Sequence, residues 1–285
     1  MRRKAKSKLK KQIELGFGLF ALQISRAVFR LMSLKTAFRL GTGLGKLAYR
    51  IMRSRRKMAL NNLQAAFPDW SKEQRETVAR GVFINLGCSL AEFMKAPSIG
   101  KSRLADMFEI EGKQYFDEVM SGGKGILLIT AHTGNWELAA RYISICLGHP
   151  VKVVARNADD QGTTSLVNDI RNQSGYDVMA RGNAAKQILK ALKQNIVVGI
   201  LPDQNAGDLY VPFFGMECGS VAGPAVLHIR TGAPLLPVFS VRLPNGRHRL
   251  EVKPPIVFDR TGDTDTDVKT IMTLIQAEIE AHIRR

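Results

Sequence analysis

The chain has no long uninterrupted hydrophobic run. Near the N-terminus of its 285 residues an apolar segment is broken by Arg26 and Arg30, which leaves Leu15–Ser25 as the longest uncharged stretch of this segment. A helix needs about 20 consecutive apolar residues to cross a bilayer. This stretch is therefore too short for an upright membrane span.

Acidic residues are scarce at the N-terminus. Residues 1–60 contain 17 Lys and Arg but a single acid, Glu14, and so carry a net charge of +16. The whole chain carries +17, so residues 61–285 are nearly neutral, with 25 basic and 24 acidic side chains. Nucleic-acid enzymes usually place basic side chains around the site itself, whereas here the charge is confined to one segment beside apolar residues. This distribution favours an anionic membrane surface, not nucleic acid, as the partner.

The apolar residues of the N-terminal segment recur at steps of three and four, which predicts a helix with one apolar face. They are Ile13, Phe17, Phe20, Ile24, Val28, Leu31, Leu34 and Phe38. We expect this helix to lie in, or dip obliquely into, the cytoplasmic leaflet, with its Lys and Arg side chains reaching the headgroups. Two alternatives are a cleaved signal peptide, which Glu14 and the lack of an A-x-A site disfavour, and an ordinary helix packed on the core.

Cysteine and histidine are few, and neither forms a metal-ligating cluster. Cys88, Cys146 and Cys218 are odd in number and far apart, with no C-x-x-C pair, which indicates reduced structural thiols. His132 has no second histidine at the spacing of a zinc site. The sequence predicts neither a metal nor a cofactor.

From Gly122 onward, short β-branched runs alternate with helical stretches. The predicted strands are Gly125–Thr130, Val151–Ala155, Ile196–Leu201, Leu235–Arg242 and Arg249–Lys253, and the predicted helices are Trp136–Cys146, Thr163–Gln173, Asn183–Lys193 and Pro224–Arg230, after a long helix from Ser71 to about Met94. Such alternation predicts an α/β fold with a mostly parallel central sheet flanked by helices. We expect two parts, a membrane-anchoring arm over residues 1–50 and an α/β domain over residues 51–285.

The strongest chemical signal is an apolar strand that ends in His132-Thr-Gly-Asn-Trp-Glu137. Catalytic residues collect at the carboxyl ends of parallel strands. On one continuous helix, residues five apart lie about 140° apart, so His132 and Glu137 can meet only across a turn. A carboxylate on one imidazole nitrogen would leave the other nitrogen to accept a proton from a hydroxyl. The pattern predicts a general base, with a satisfied structural histidine as the alternative.

Five motifs in order resemble the lipid A late acyltransferases, a family with an H-x4-E signature. Besides His132 to Glu137, they are the basic, asparagine-containing segment from Arg55 to Pro68, the pair Arg156-Asn157 followed by Arg171, the segment Leu201-Pro-Asp203-Gln204, and Val211-Pro-Phe213-Phe214-Gly215. The resemblance covers nearly the whole chain.

The resemblance implies transfer of a fatty acyl group from acyl carrier protein to a hydroxyl of an acylated glucosamine-phosphate precursor of lipid A. His132 would be the base and Glu137 its partner. Arg156 or Arg171 would bind phosphate or stabilise an oxyanion. The other residues that the resemblance implies as substrate-binding are Asn157, Asp203, Gln204, Phe213 and Phe214, although turn stabilisation and core packing also explain the last four.

The implied location is the cytoplasmic face of the bacterial inner membrane. Three other functions stay open. One is an acyl-CoA-dependent enzyme acting on phosphatidylinositol mannosides, another is a membrane-surface protein with an inert site, and the third is an RNA-binding protein with a basic arm.

Overall fold

The computed structural model describes residues 16, 18, 23–156, 158, 160–180 and 184–285. The basic run at the N-terminus and most of Leu15–Ser25 therefore lie outside the described residues. The strands are β1 (Phe108–Glu111), β2 (Ile126–Ile129), β3 (Val151–Ala155), β4 (Asp177–Ala180), β5 (Val197–Ile200), β6 (Leu209–Phe213), β7 (Met216–Ser220), β8 (Leu235–Arg242) and β9 (His248–Val252).

The helices begin with α1, described over residues 23–31. They continue as α2 (Leu34–Ile51), α3 (Arg53–Ala66), α4 (Lys72–Lys95), α5 (Lys101–Asp106), α6 (Lys113–Ser121), α7 (Trp136–Ile145), α8 (Gln161–Gln173), α9 (Ala184–Lys193), α10 (Gly223–Thr231) and α11 (Thr264–Ile283). A capping box formed by Ser71 and Gln74 starts α4, as the sequence predicts.

Seven strands form the central sheet in the order β1-β9-β8-β2-β5-β3-β4. The run from β8 to β4 is parallel, β9 is antiparallel to β8, and β1 is parallel to β9. Strands β6 and β7 form a separate antiparallel hairpin. The prediction of an α/β fold with a mostly parallel central sheet flanked by helices is confirmed.

Helices cover both faces of the sheet, so the strands are apolar on both sides, as parallel sheets require. All four residues of β2 and all four of β5 are buried. One apolar cluster joins β2 to α7 through Leu128, Leu138 and Ile143. The other joins the opposite face to α9 and α11. This packing leaves the carboxyl ends of β2 and β5 side by side.

The α2–α4 seam, formed by Gly41 and Gly45 of α2 and Gly87 of α4, brings two helix backbones together. A Cβ atom on Gly41 would lie 2.5 Å from the Gly87 carbonyl oxygen, and one on Gly45 would lie 2.4 Å from the Phe83 carbonyl oxygen. No residue larger than glycine fits at either position without a shift of the backbone. The contact fixes α2 firmly on the rest of the protein.

The described part of α1 also packs on the main domain. The Phe29 side chain is buried with residues of α4 and α8, and Arg26 pairs with Asp169 of α8 at 2.7 Å. The Lys95 ammonium donates hydrogen bonds to the carbonyls of Phe29, Arg30 and Met32, so it caps the carboxyl end of this helix. In the part of the chain that the structure describes, no helix is both long and apolar enough to cross a membrane.

Candidate active site

The candidate site lies at the carboxyl ends of the neighbouring strands β2 and β5. Their pairing sets Ile129 beside Ile200, the last residue of each strand. His132 lies three residues after the end of β2, and Asp203 lies three residues after the end of β5. Chain connections from adjacent parallel strands emerge at one edge of a sheet, and there the two side chains meet.

Two hydrogen bonds join His132 and Asp203. The Nδ1 atom of the imidazole lies 2.7 Å from Asp203 Oδ1, and the His132 backbone N–H donates to Asp203 Oδ2 at 2.8 Å. The Trp136 ring meets the imidazole edge to face at 4.8 Å. In a neutral imidazole, a carboxylate at Nδ1 favours the tautomer whose Nε2 is an acceptor, so this arrangement is suited to take a proton from a hydroxyl.

The predicted hydrogen bond between Glu137 and His132 is wrong, because His132 Nδ1 is bonded to Asp203 and the Glu137 carboxylate is bonded to other residues. The Glu137 carboxylate accepts hydrogen bonds from the Arg171 guanidinium, with Nε at 3.0 Å from Oε2 and Nη2 at 2.5 Å from Oε1, and from the Tyr176 hydroxyl. The physical reason is the start of α7 at Trp136, which places Glu137 in the first helical turn. There its carboxylate is bound from the end of α8 and the segment that follows it.

The Glu137 cluster, made of Glu137, Arg171 and Tyr176, is charged but internally paired. Burial alone disfavours the guanidinium cation, yet the hydrogen bonds and charge of Glu137 outweigh it and raise the pKa of Arg171. Burial, followed by the neighbouring carboxylate, raises the pKa of Tyr176 well above its usual value, so its hydroxyl stays a hydrogen-bond donor. The groups of the Glu137 cluster are hydrogen-bonded to one another, so the cluster is suited to a structural role and not to accepting a proton from a substrate.

Residues 133–135 form the turn between His132 and α7. Gly134 has φ of +55°, and a Cβ there would lie 2.0 Å from the Ser240 carbonyl oxygen, so only glycine fits. Asn135 caps α7 by accepting the Leu138 backbone N–H at 3.0 Å. The 133–135 turn is thus set by local chemistry that the sequence displays.

A cavity of about 710 Å³ opens beside His132. Its inner wall is mostly apolar and includes Leu128, Ile143, Val151 and Val153. Protein interiors are normally close-packed, and ligand pockets measure about 300–1,000 Å³. The space is therefore suited to a ligand with a large apolar part.

The structure brings some of the predicted substrate-binding residues to this cavity. Arg156, Arg171 and Gln204 line it together with His132 and Glu137. Asn157 lies outside the described residues.

The two phenylalanines of the β6–β7 hairpin lie elsewhere. Phe213 and Phe214 are not among the described residues that line the cavity. The Phe214 ring stacks under the Arg284 guanidinium at 4.6 Å and meets Phe67 edge to face at 5.2 Å. Both phenylalanines therefore serve packing in this structure.

Two residues of the site have no sequence signal that singles them out. Tyr176 follows α8 and reaches Glu137 across the fold, and Arg230, an exposed cation of α10, lines the cavity. Neither lies in a motif. Only the strand order and helix packing bring them to the site.

Comparison with known proteins adds the class of chemistry to this geometry. A model of the bacterial lipid A biosynthesis acyltransferase family matches residues 4–285. The chain belongs to this family. A lipid A biosynthesis lauroyltransferase of Escherichia coli (strain K12) is 32% identical over 234 residues, which are 80% of this chain and 76% of the relative. A lipid A biosynthesis palmitoleoyltransferase of the same organism is 30% identical over 207 residues, 71% of this chain and 67% of the relative.

A phosphatidylinositol mannoside acyltransferase of Mycobacterium tuberculosis (strain ATCC 25618 / H37Rv) is 27% identical over 154 residues, 51% of this chain and 48% of that relative. The membership confirms the resemblance carried by the motifs, and the chain is an acyltransferase. As an acyltransferase of this family, it combines a base-like histidine with an apolar cavity, and both features suit acyl transfer.

Proposed function

We propose that the protein transfers a fatty acyl group from the thioester of acyl carrier protein to a hydroxyl of a lipid A precursor, in late lipopolysaccharide biosynthesis. The observation that carries this proposal is the His132–Asp203 pair at the edge of a largely apolar cavity. The lipid A acyltransferases among its relatives support the acceptor class.

His132 acts as the general base in the proposed mechanism. Its Nε2 takes the proton of the acceptor hydroxyl, and the resulting alkoxide attacks the thioester carbonyl to form a tetrahedral oxyanion. Asp203 holds the imidazole through Nδ1 and stabilises the imidazolium. Collapse of the oxyanion breaks the carbon–sulfur bond, and the imidazolium returns its proton to the leaving thiolate. No cofactor is needed for this sequence.

The cavity receives the acyl chain in its apolar part, and the cations at its wall receive the polar groups. The Glu137 carboxylate neutralises much of the Arg171 charge but does not engage its Nη1 atom, which is suited to the oxyanion or a phosphate oxygen. Arg156, which is exposed just after β3 and lines the cavity, is the residue that we propose binds the acceptor phosphate. Glu137 keeps its importance in this mechanism, through Arg171 and not through His132.

The proposed site of action is the cytoplasmic face of the inner membrane. An apolar face on α2 and α4 is exposed to solvent and consists of Leu40, Leu44, Leu47, Ile51, Val78, Val82, Leu86 and Leu90. Residues 34–57 next to it contain eight Lys and Arg and no acid. Exposed apolar side chains beside cations are typical of a surface that docks on anionic lipid.

Mass spectrometry of lipid A from cells with and without the gene tests the proposed function. We expect cells without the gene to lack one acyl chain, and the gene to restore it. Unchanged lipid A with an acyl chain missing from another glycolipid would instead favour the activity of the phosphatidylinositol mannoside acyltransferase type. No change in any glycolipid would indicate an inert site.

Two substitutions test the proposed base. His132→Ala removes it, and Asp203→Asn keeps the size of its partner but removes the charge, so we expect each to lower kcat by about 10²–10⁴-fold. Purified variants are assayed with lauroyl-acyl carrier protein and the precursor extracted from cells that lack the gene. Phe213→Leu, away from the cavity, is the control and should keep most activity. Half of the parental rate in His132→Ala would rule the mechanism out.

A further inference from the structure

The carbonyl of Gly134, in the middle of the 133–135 turn, is held by two side chains of α4. Asn85 Nδ2 and Ser89 Oγ each donate a hydrogen bond to it at 2.9 Å. The donors are four residues apart and so share one face of the helix. This carbonyl is therefore fixed from two directions.

The next residue of the turn is held by a buried carboxylate. The Asn135 side-chain amide donates to Glu92 Oε2 at 2.6 Å, and its backbone N–H donates to Ser240 Oγ at 3.2 Å. Glu92 lies one helical turn beyond Ser89, on the same face of α4. Gly134 and Asn135 are thus both held by that face of α4.

Arg242, the last residue of β8, connects these anchors. Its Nη1 and Nη2 atoms bind the two oxygens of Glu92 at 2.7 and 2.8 Å. Its Nε donates to Asn85 Oδ1 at 2.8 Å, and Nη2 also reaches Ser89 Oγ at 3.1 Å. One planar guanidinium therefore orients all three α4 side chains that touch the turn.

The ion pair between Glu92 and Arg242 is largely buried. The Glu92 side chain is only 3% exposed, and His248 is its remaining partner at 3.2 Å. Burial opposes its ionisation, but hydrogen bonds from Arg242 and His248 prevail and lower the pKa of Glu92 to about 2. Buried ion pairs often stabilise a fold no better than apolar residues of similar volume. Here Glu92 is hydrogen-bonded to Asn135, in the turn that follows His132, and Arg242 orients the other side chains that hold this turn. These contacts indicate a role other than stability.

We propose that Glu92 and Arg242 are positioning residues, which hold the 133–135 turn so that His132 meets Asp203 and the cavity in the productive geometry. The inference rests on the proposed role of His132 as base. Among the described residues, neither member of the pair lines the cavity or hydrogen-bonds to His132, so the pair acts through Gly134 and Asn135.

The double substitution Glu92→Met/Arg242→Met separates positioning from stability. Removing both charges together leaves no uncompensated carboxylate or guanidinium, whereas the Asn135 amide and the His248 imidazole lose their acceptor, so we expect a lower unfolding temperature but a protein that is folded at the assay temperature. A displacement of the turn by about 1 Å should lower kcat about 10²-fold. KM for lauroyl-acyl carrier protein and for the extracted precursor should not change, because the cavity wall is untouched. A folded double variant with the parental kcat would overturn the inference.

Ser89→Ala is a milder variant that keeps the test decisive if the double variant does not fold. It removes one of the two donors to Gly134, and one hydrogen bond corresponds to about fivefold in kcat. Asp267→Asn is the matched control, because Asp267 is also a buried carboxylate, bonded to Thr261 and remote from the turn. It should keep the parental kcat. Parental kcat in a folded Ser89→Ala, or an equal loss in Asp267→Asn, would contradict positioning.

A spectroscopic measurement makes the inference independent of the proposed reaction. The Cε1 proton of His132, assigned by its absence in His132→Gln, reports the surroundings of the imidazole in the NMR spectrum. It should shift in Glu92→Met/Arg242→Met and not in Asp267→Asn. If the parent proves to have no acyltransferase activity, the proposed function fails while this shift still decides the inference, and an unshifted resonance overturns it.

Discussion

At the scale of single residues, the site contains two carboxylates with different partners. Asp203 binds the imidazole of His132, and Glu137 binds the Arg171 guanidinium. Each carboxylate therefore belongs to a separate pair, with separate consequences for substitution.

A double-mutant cycle on unfolding free energies distinguishes these pairs. Glu137→Ala leaves the largely buried Arg171 without its counter-charge, which should cost about 3 kcal/mol. Combining it with Arg171→Ala should recover about 1–3 kcal/mol, since contacting residues are coupled. Glu137→Ala and His132→Ala should add within about 0.5 kcal/mol, because they share no contact. Urea denaturation of the purified variants in detergent gives these values, and coupling of His132 to Glu137 as strong as that of Arg171 would contradict the pairing.

The sequence indicates both His132 and Asp203, but not that they form a pair. Each follows a predicted apolar strand, so its place at a strand end is readable. The chain passes through β3 and β4 before it returns to β5 beside β2, and this order is not contained in residue spacing. The H-x4-E spacing favoured the nearer carboxylate, whereas the strand order favours the farther one.

At the scale of elements, the five predicted strands are the interior strands of the central sheet. β3 and β8 have the predicted bounds because β-branched and apolar residues dominate both segments. The edge strands β1 and β4 were not predicted, since they are short and carry charged residues such as Glu109 and Asp177. Edge strands commonly carry such charges, which weaken their hydrophobic pattern.

The α2–α4 seam allows a matched test with two glycines of one helix. Gly41→Ala forces a Cβ to 2.5 Å from the Gly87 carbonyl oxygen and should destabilise the protein by about 1–3 kcal/mol. Gly43, two residues on, has nothing within 4 Å, so Gly43→Ala should stabilise the helix by about 0.5–1 kcal/mol. Thermal unfolding of both variants decides this. Equal shifts of the same sign would show that the seam is not tight.

At the scale of the whole molecule, charge and exposed apolar surface both occur on the N-terminal side of the chain. The nearly neutral body contains the His132–Asp203 pair, and α2 and α3 carry the dense basic sequence. Composition alone predicted this division. The sequence did not show that the described part of α1 packs against α4 and α8, because the packing surface of Phe29 is built from distant segments.

Vesicle binding tests the proposed apolar face. Leu44→Ser/Leu47→Ser removes two exposed leucines and should weaken binding to vesicles of anionic lipid, with thioester cleavage in detergent preserved. Leu274→Ser, an exposed leucine of α11, is the control and should bind as the parent does. Raising the salt concentration should weaken binding of the parent only in part, because the apolar contribution is not screened. Complete release by salt alone would contradict insertion of the apolar face.

The glycine seam has a consequence for the position of His132. On α4, Gly87 lies about 200° around the helix from Asn85, so the seam and the anchors of the 133–135 turn occupy nearly opposite sides. On one side of α4 its backbone packs directly on the backbone of α2. On the other side Asn85 and Glu92 form hydrogen bonds with the 133–135 turn. On the seam side the two backbones touch directly, so no side chain there could absorb an error in spacing by changing its rotamer. The exposed surface of α2 can therefore vary in sequence without moving the imidazole, whereas one added methyl group in the seam would be transmitted to it.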